Sequence, residues 1–254
     1  MAEPGFLRSE LLNAIGITAI FSERNGGISP TPFNSLNLGH NIGDSDENVE
    51  ANMARLAETI GLSGRPHQTE QVHGVEHFIC SGSGSLHSEQ ADILISNEPK
   101  TPIAVRTADC LPILMADPVN RIIAAVHAGW RGTAAGIAIR AVEQMVKMGA
   151  KQEYIHVSLG PSIGPCCFEV GVDTAELLKK SVAGADQAIT HLPEPHPDLV
   201  AINLLQLKEA GVAEDHVENL GICTCCHPER FYSYRRDHGA TGRHLAVVAL
   251  PEAL

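Results

Sequence analysis

An α/β sandwich built around mixed β-sheets is the fold class that this sequence predicts, and three observations predict it. Strand-like apolar runs alternate with helix-like amphipathic ones along the chain. Neighbouring strand runs are separated by turns too short for a helical crossover, which favours hairpins over a purely parallel doubly wound sheet. The 254 residues suit one large hydrophobic core, so residues 1–254 are read as a single domain.

The elements follow in order. Ile17–Glu23 reads as a strand, and the Gly-, Pro-, Asn- and Ser-rich stretch Asn25–Ser35 as a long loop and a candidate pocket wall. Val49, Met53, Leu56 and Ile60 recur at helical spacing within Asp46–Leu62, with Ser45 or Asp46 to cap the start and Gly61 near the end. Ser81–Ser85 is a flexible turn. Thr101–Thr107, Leu111–Asp117 and Arg121–His127 are three β-rich runs, the last two forming a hairpin around Asp117–Asn120. Ile137, Ala141, Met145 and Met148 predict a helix over Thr133–Gly149. Next come a strand at Tyr154–Gly160, a helix at Asp173–Ala183, an exposed Pro-rich loop at His191–Asp198, a strand at Leu199–Asn203 and a helix at Leu204–Val212. Phe231–Asp237 and His244–Leu250 read as closing strands.

Composition excludes several classes. With 44% hydrophobic and 19% charged residues, and no apolar run near the roughly 18 residues a membrane span needs, a soluble protein is expected. The acidic N-terminus lacks a basic start followed by an apolar stretch, so no secretory signal is read and a cytoplasmic location follows. A net charge of −12 opposes capture of a phosphate backbone, so nucleic acid is not an expected partner. Seven cysteines, an odd number in a reducing compartment, argue against a disulfide framework and towards metal or thiol chemistry.

Candidate chemistry clusters in a few segments. Cys110 lies at a break between strand runs, between Asp109 and Leu111-Pro112, and is either a small buried hydrophobe or a group facing a cleft. His127 ends its apolar run just before Ala128-Gly129-Trp130-Arg131-Gly132, and the hairpin returns it towards Cys110. His73, followed by Gly74, is a third candidate. Two imidazoles and a thiolate suit zinc with an open fourth position, although the spacing alone is weak evidence. Cys223, Cys225, Cys226 and His227 also suggest metal, but read as C-x-C-C-H they lack the C-x₂-C pair and the distant second pair of a structural zinc ribbon. Gly160–Gly171, holding Cys166, Cys167 and Glu169, is either an anion-binding loop or a tight strand-to-helix crossover. Arg235, Arg236 and Arg243 suit a phosphate or carboxylate ligand, and equally suit salt bridges in an acidic protein.

Taken together and in order, FSERNGGIS, SLNLGHNIGD, QVHG, TADCLPIL, HAGWRG, GPSIGPCCFEVG, CTCC and FYSYRR…TGR cover nearly the whole chain. They resemble the purine nucleoside phosphorylase family formerly labelled multicopper polyphenol oxidoreductases, or laccase-domain proteins. The resemblance implies an α-β sandwich with mixed sheets, shared with cysteine-hydrolase-like domains. It also implies phosphorolysis of adenosine, inosine, guanosine and methylthioadenosine, together with adenosine deamination. It carries zinc ligation over to His73, Cys110 and His127, and loop contacts to Arg24, Asn37 and Asp44, with Glu23 standing where threonine is usual.

Purine nucleosides and phosphate are then the expected partners, with no membrane partner and a monomeric or weakly homo-oligomeric state. Phosphorolysis needs an anion site beside the ribose C1′, for which Arg24, Arg235 and Arg236 are the candidates. It also needs a proton-transfer carboxylate, for which Asp109 and Glu169 are nearest, beside Cys110 and His127. The alternatives are a copper-dependent polyphenol oxidoreductase, disfavoured by the lack of any His-x-His pair, and a cysteine hydrolase or amidase of peptidoglycan-precursor editing in which His127 activates Cys110.

Overall fold

The computed structural model describes residues 2–62, 64–191 and 193–252. Strand β1 (Phe6–Arg8), helix α1 (Glu10–Ala14) and β2 (Thr18–Ser22) precede a long loop. Then come α2 (Asp46–Ile60), β3 (Gln68–Glu70), β4 (His77–Ile79), β5 (Leu86–Gln90), β6 (Ile93–Ser96) and β7 (Ile103–Thr107). They are followed by β8 (Leu111–Asp117), β9 (Ile122–Ala128), α3 (Trp130–Ala134), α4 (Ile137–Lys147), β10 (His156–Leu159) and α5 (Val172–Lys179). The last elements are β11 (Ile189–His191), β12 (Pro195–Pro197), α6 (Leu199–Glu209), β13 (Val217–Asn219) and β14 (His244–Ala249).

Two sheets stack face to face. A mixed six-stranded sheet has the order β13-β10-β8-β9-β6-β4, and an antiparallel four-stranded sheet the order β1-β2-β14-β7. Side chains of alternate parity divide the work. Leu114 and Ala116 of β8, Ile123 and Ala125 of β9, Phe21 of β2 and Val248 of β14 fill the space between the sheets. Ile113, Met115, Ala124 and Val126 point the other way, against Ile137, Ala141 and Met145 of α4 and Leu207 of α6. On the far side, Val49 aside, the apolar stripe of α2 packs Met53, Leu56 and Ile60 on Ile20, Leu245 and Val247. The result is four layers, helix on sheet on sheet on helix. All seven residues of β8 and all seven of β9 are buried, which is why these strands read as unbroken apolar runs rather than alternating ones.

Four expectations differ from the structure. The helix expected over Thr133–Gly149 starts earlier, at Trp130, and is broken into α3 and α4 at Gly136, whose φ of 79° is left-handed. Leu199–Asn203 is not a strand but the first half of α6. That helix buries Leu199, Ile202, Asn203, Gln206 and Leu207 on one face, but two of these are polar and the half-buried Val200, Leu204 and Leu205 beside them are apolar, so its sequence lacks a clean amphipathic stripe. The loop expected over 191–198 contains β12, paired antiparallel with β11, with Pro195 and Pro197 buried; its Leu192 lies outside the described residues. Phe231–Asp237 is not a strand either, because its backbone N–H groups bond to side chains instead of a neighbouring strand: Tyr232 to His244 Nε2 at 2.7 Å and Arg235 to Asp109 Oδ2 at 2.7 Å.

Two predictions arise here. The polar groups of α6 serve the α3–α4 break: Gln206 Nε2 donates to the Thr133 carbonyl at 2.7 Å, and its Oε1 accepts the Ala138 N–H at 3.3 Å. Gln206→Leu leaves the buried Ala138 N–H without this acceptor and removes one of the donors to the Thr133 carbonyl, which the Gly136 N–H still meets at 3.1 Å, and should cost about 1–3 kcal/mol of stability by urea unfolding.

The second concerns acid. Burial pushes the His244 pKa from 6.5 down to about 3, so the folded protein holds the ring neutral while the unfolded chain binds a proton. Stability from this group is complete above the unfolded value and drains away as pH falls from 6.5 towards about 3. His244→Gln, which does not titrate, should flatten the acid limb of the stability–pH curve in that window.

Candidate active site

The β8–β9 hairpin sets the centre of the site. Its register places Pro112 opposite His127 and Leu111 opposite Ala128, so Cys110, one residue before β8, lies beside the end of β9. His73 comes from the turn between β3 and β4, in the left-handed region at φ 62°. The donor atoms of His73, Cys110 and His127 lie within 4.8 Å of one another. Cys110 Sγ is 3.8 Å from His73 Nε2, and the two imidazoles meet edge to face with centroids 4.8 Å apart. Tetrahedral zinc holds sulfur and nitrogen ligands about 3.6 Å apart, so this donor set fits such a metal after a small closure. Gly129 makes the convergence possible: a Cβ there would lie 2.7 Å from His73 Cδ2 and 3.1 Å from Cys110 Sγ.

Asp92 organises the three. Its carboxylate, fully buried, accepts the His127 Nδ1–H at 2.7 Å and the backbone N–H groups of Val72, His73 and Gly74 at 3.1, 3.0 and 2.8 Å. One side chain therefore orients the His127 ring and holds the turn that carries His73. With Nδ1 committed to Asp92, His127 presents Nε2 to the pocket. Burial alone would raise the Asp92 pKa, but the His127 hydrogen bond and charge and the N–H groups of Gly74 and Val72 bring it below the ordinary carboxylate value. Burial would likewise push the Cys110 thiol up and the His127 imidazole down. Their mutual attraction reverses both, taking Cys110 down to about 6 and, with help from Asp92, His127 up to about 9.

Above this centre opens a cavity of about 730 Å³, within the range of small-molecule sites. Arg106, Arg131, Arg235 and Arg243 line it, together with Phe168, Trp130 and Tyr234. Ion pairs between arginine and carboxylate are made elsewhere, by Arg65, Arg140, Arg230 and Arg236, and none is made by these four among the described residues. Arg235 instead donates to the carbonyls of Cys167 and Glu169 at 3.1 and 3.0 Å, and Arg243 to those of Thr241 and Gly242 at 2.8 and 3.1 Å. Burial, then repulsion from Arg243, lowers the Arg106 pKa. An anion bound between the two guanidiniums relieves that repulsion.

The remaining sequence candidates are placed as follows. Glu169 lines the cavity at its rim, with the His196 ring 3.8 Å away. Asp109 also lines it, but at φ 91° its carboxylate is taken up by Thr224 Oγ1 at 2.6 Å, Ser233 Oγ at 2.9 Å and the Arg235 N–H at 2.7 Å. Arg24 lies away from the cavity, donating to the carbonyls of Asn34 and Pro228 and lying over the Tyr232 ring; the Asn25–Ser35 loop does not line the cavity either. Glu23 pairs with Arg230.

Asn37 and Asp44 bond to each other at 2.9 Å, and Asn37 also ties down Gly39 and the Arg243 N–H; their contacts hold the wall-forming segment around His40. Arg236 is spent on Asp237 and the carbonyls of Thr224, Cys225 and Phe231. Sequence reasoning missed Asp92, Arg106 and Arg131. Arg106 sits inside a strand run, and Arg131 follows Trp130 within a motif already noted for His127.

Among the described residues, no helix is long and apolar enough to cross a membrane.

The fold is therefore an α/β sandwich in which a thiol and two imidazoles converge at the end of the central hairpin, below a cavity lined by arginines. The chain belongs to the family described as multi-copper polyphenol oxidoreductase laccase, whose model matches residues 18–251. A Deinococcus radiodurans protein named purine nucleoside phosphorylase is 38% identical over 254 residues, covering 99% of this chain and 96% of that protein. The Escherichia coli protein named purine nucleoside phosphorylase YfiH is 39% identical over 92% of this chain and 94% of its own. The crystal structure of YlmD from Geobacillus stearothermophilus superposes with a TM-score of 0.91 at 33% identity, covering 99% of this chain and 98% of that one.

Proposed function

We propose that this protein is a zinc-dependent purine nucleoside phosphorylase that also deaminates adenosine and cleaves methylthioadenosine. The observation that carries the reading is the set of four arginines, none ion-paired with a carboxylate among the described residues, over the His73, Cys110 and His127 donors, in a chain of net charge −12. Two relatives that carry the name purine nucleoside phosphorylase, similar over nearly their whole length, support it.

In phosphorolysis, a phosphate oxygen attacks the ribose C1′, the bond from C1′ to the base breaks, and the base takes up a proton. Arg243 and Arg106, with Arg235 and Arg131, hold the phosphate and the charge that develops on it. Phe168, Trp130 and Tyr234 offer aromatic faces to the purine. Glu169 is the candidate for exchanging a proton with the base, since the Asp109 carboxylate is committed to three hydrogen bonds and acts as a positioning group for Arg235. Zinc, which His73, Cys110 and His127 would hold, would supply Lewis acidity at this end of the cavity.

The test is incubation of purified protein with adenosine, with and without phosphate, scored for adenine, ribose 1-phosphate and inosine. Phosphate-dependent base release is expected. Arg243→Ala should raise the KM for phosphate by about tenfold or more, as loss of one charged hydrogen-bonding partner implies. Neither base release nor deamination above a His127→Ala control would overturn the reading.

A second reading is favoured by one observation: Cys110, His127 and Asp92 also form a Cys-His-Asp constellation, with the thiol pKa lowered. That arrangement suits a nucleophilic cysteine of a hydrolase or amidase. The oxidoreductase reading has less support. Among the described residues, the donor groups of three or more number two, and one of them is all cysteine.

A further inference from the structure

Outside the pocket, two segments distant in sequence bring four sulfurs together. The parallel bridge between Ser162 and Cys223, with Ser162 N–H donating to the Ile222 carbonyl at 3.1 Å and Thr224 N–H to the Ser162 carbonyl at 3.0 Å, lays the 162–168 loop along the 222–227 turn. Cys166 and Cys167 on the first segment thereby face Cys223 and Cys226 on the second. All four Sγ atoms lie within 4.8 Å of one another, and Cys226 Sγ is 3.5 Å from both Cys166 Sγ and Cys167 Sγ.

These are not disulfide distances, which are near 2.05 Å. Four thiolates at about 2.3 Å from a tetrahedral zinc stand about 3.8 Å apart, within the spread seen here. Contrary to the C-x-C-C-H reading of the sequence, Cys223 and Cys226 form a C-x₂-C pair, because Cys225 between them is not a donor, and the second pair is supplied by the adjacent Cys166 and Cys167. The Gly164 N–H donates to Cys223 Sγ at 3.3 Å, with a second backbone N–H from Cys226. Backbone donors aimed at a sulfur suit a thiolate ligand, whose charge they stabilise. Cys225 and His227, although adjacent in sequence, are not among the donors that converge within 4.8 Å of one another; His227 Nδ1 bonds to the Cys223 carbonyl.

We propose that Cys166, Cys167, Cys223 and Cys226 form a second metal centre, a structural tetrathiolate zinc site separate from the pocket donors. Its position gives it a task. Phe168 and Glu169 of the pocket wall directly follow Cys167, and Thr224, between Cys223 and Cys226, holds the Asp109 carboxylate. The metal staples the pocket wall to the turn behind it.

Elemental analysis and native mass spectrometry of the full chain, grown with zinc and desalted under reducing conditions, test this. The wild type should hold about two zinc ions, and Cys110→Ala and the double variant Cys166→Ser/Cys226→Ser about one each, because each removes a different donor set. A wild-type zinc that survives Cys166→Ser/Cys226→Ser and vanishes in Cys110→Ala, with no second equivalent, overturns the proposal while leaving the pocket reading intact.

Should the double variant fail to fold, alkylation of the wild type decides. Cys166 and Cys226 are exposed, so they should resist iodoacetamide in zinc-loaded protein and react at least about tenfold faster after chelation. Equal rates, a disulfide joining the pair in reduced preparations, or the absorbance of an iron–sulfur cluster would each refute it.

Discussion

Asp92→Asn is expected to weaken zinc binding by about 10–100-fold and to destabilise the fold by on the order of 3 kcal/mol. The carboxylate receives four N–H donors, three from the 72–74 backbone and one from His127. An amide replaces one acceptor oxygen with a donor, which meets N–H groups that have no other partner, and the His127 ring loses the group that fixes its tautomer. Zinc affinity by competition with a chelating dye, measured well below the unfolding midpoint, separates the two effects. Unchanged affinity in a folded variant would mean that His127 is oriented by something other than Asp92.

Cys110→Ser should abolish zinc binding in the pocket and lower kcat for phosphorolysis by on the order of 10³-fold or more. Loss of activity alone does not discriminate, because a nucleophilic cysteine predicts it as well. The zinc stoichiometry does. Ligation by Cys110 predicts that one zinc disappears with the thiol and that chelated wild-type protein is inactive. Full activity in chelated wild type, abolished by alkylation of Cys110, would favour the nucleophile. The thiol is lowered to about 6 by its histidine neighbours, so alkylation of metal-free protein should rise through that pH and be near its plateau at neutrality.

The contrast between the residues that sequence reading found and those it missed has a physical cause. The pairing of Cys110 with His127 is legible because a short turn fixes hairpin register, and two strand runs around Asp117–Asn120 leave little freedom. Asp92 is not legible, since it lies in a run ending in the apolar Ile93–Ser96 strand, and its role depends on a backbone turn twenty residues earlier curling over it. Arg24, Asn37, Asp44 and Arg236 look like ligand-binding groups by type, yet none of them lines the cavity above the His73, Cys110 and His127 donors. The α6 strand expectation fails because the buried face of the helix carries the polar Asn203 and Gln206 while its flanks carry the apolar Val200, Leu204 and Leu205, so hydropathy does not mark the helical period. The four cysteines escape because one pair is adjacent and lies about sixty residues from the other, whereas spacing rules look for two like pairs.

β8 and β9 occupy the middle of the six-stranded sheet, so Cys110 and His127 ride on backbone that separates last when the protein opens. His73 sits on a turn tethered to that backbone through one carboxylate. Exchange of a bound metal is then a local event: its off-rate should track the opening of residues 71–75, and hydrogen exchange at Val72, His73 and Gly74 should slow when the metal is present and leave the hairpin amides unchanged.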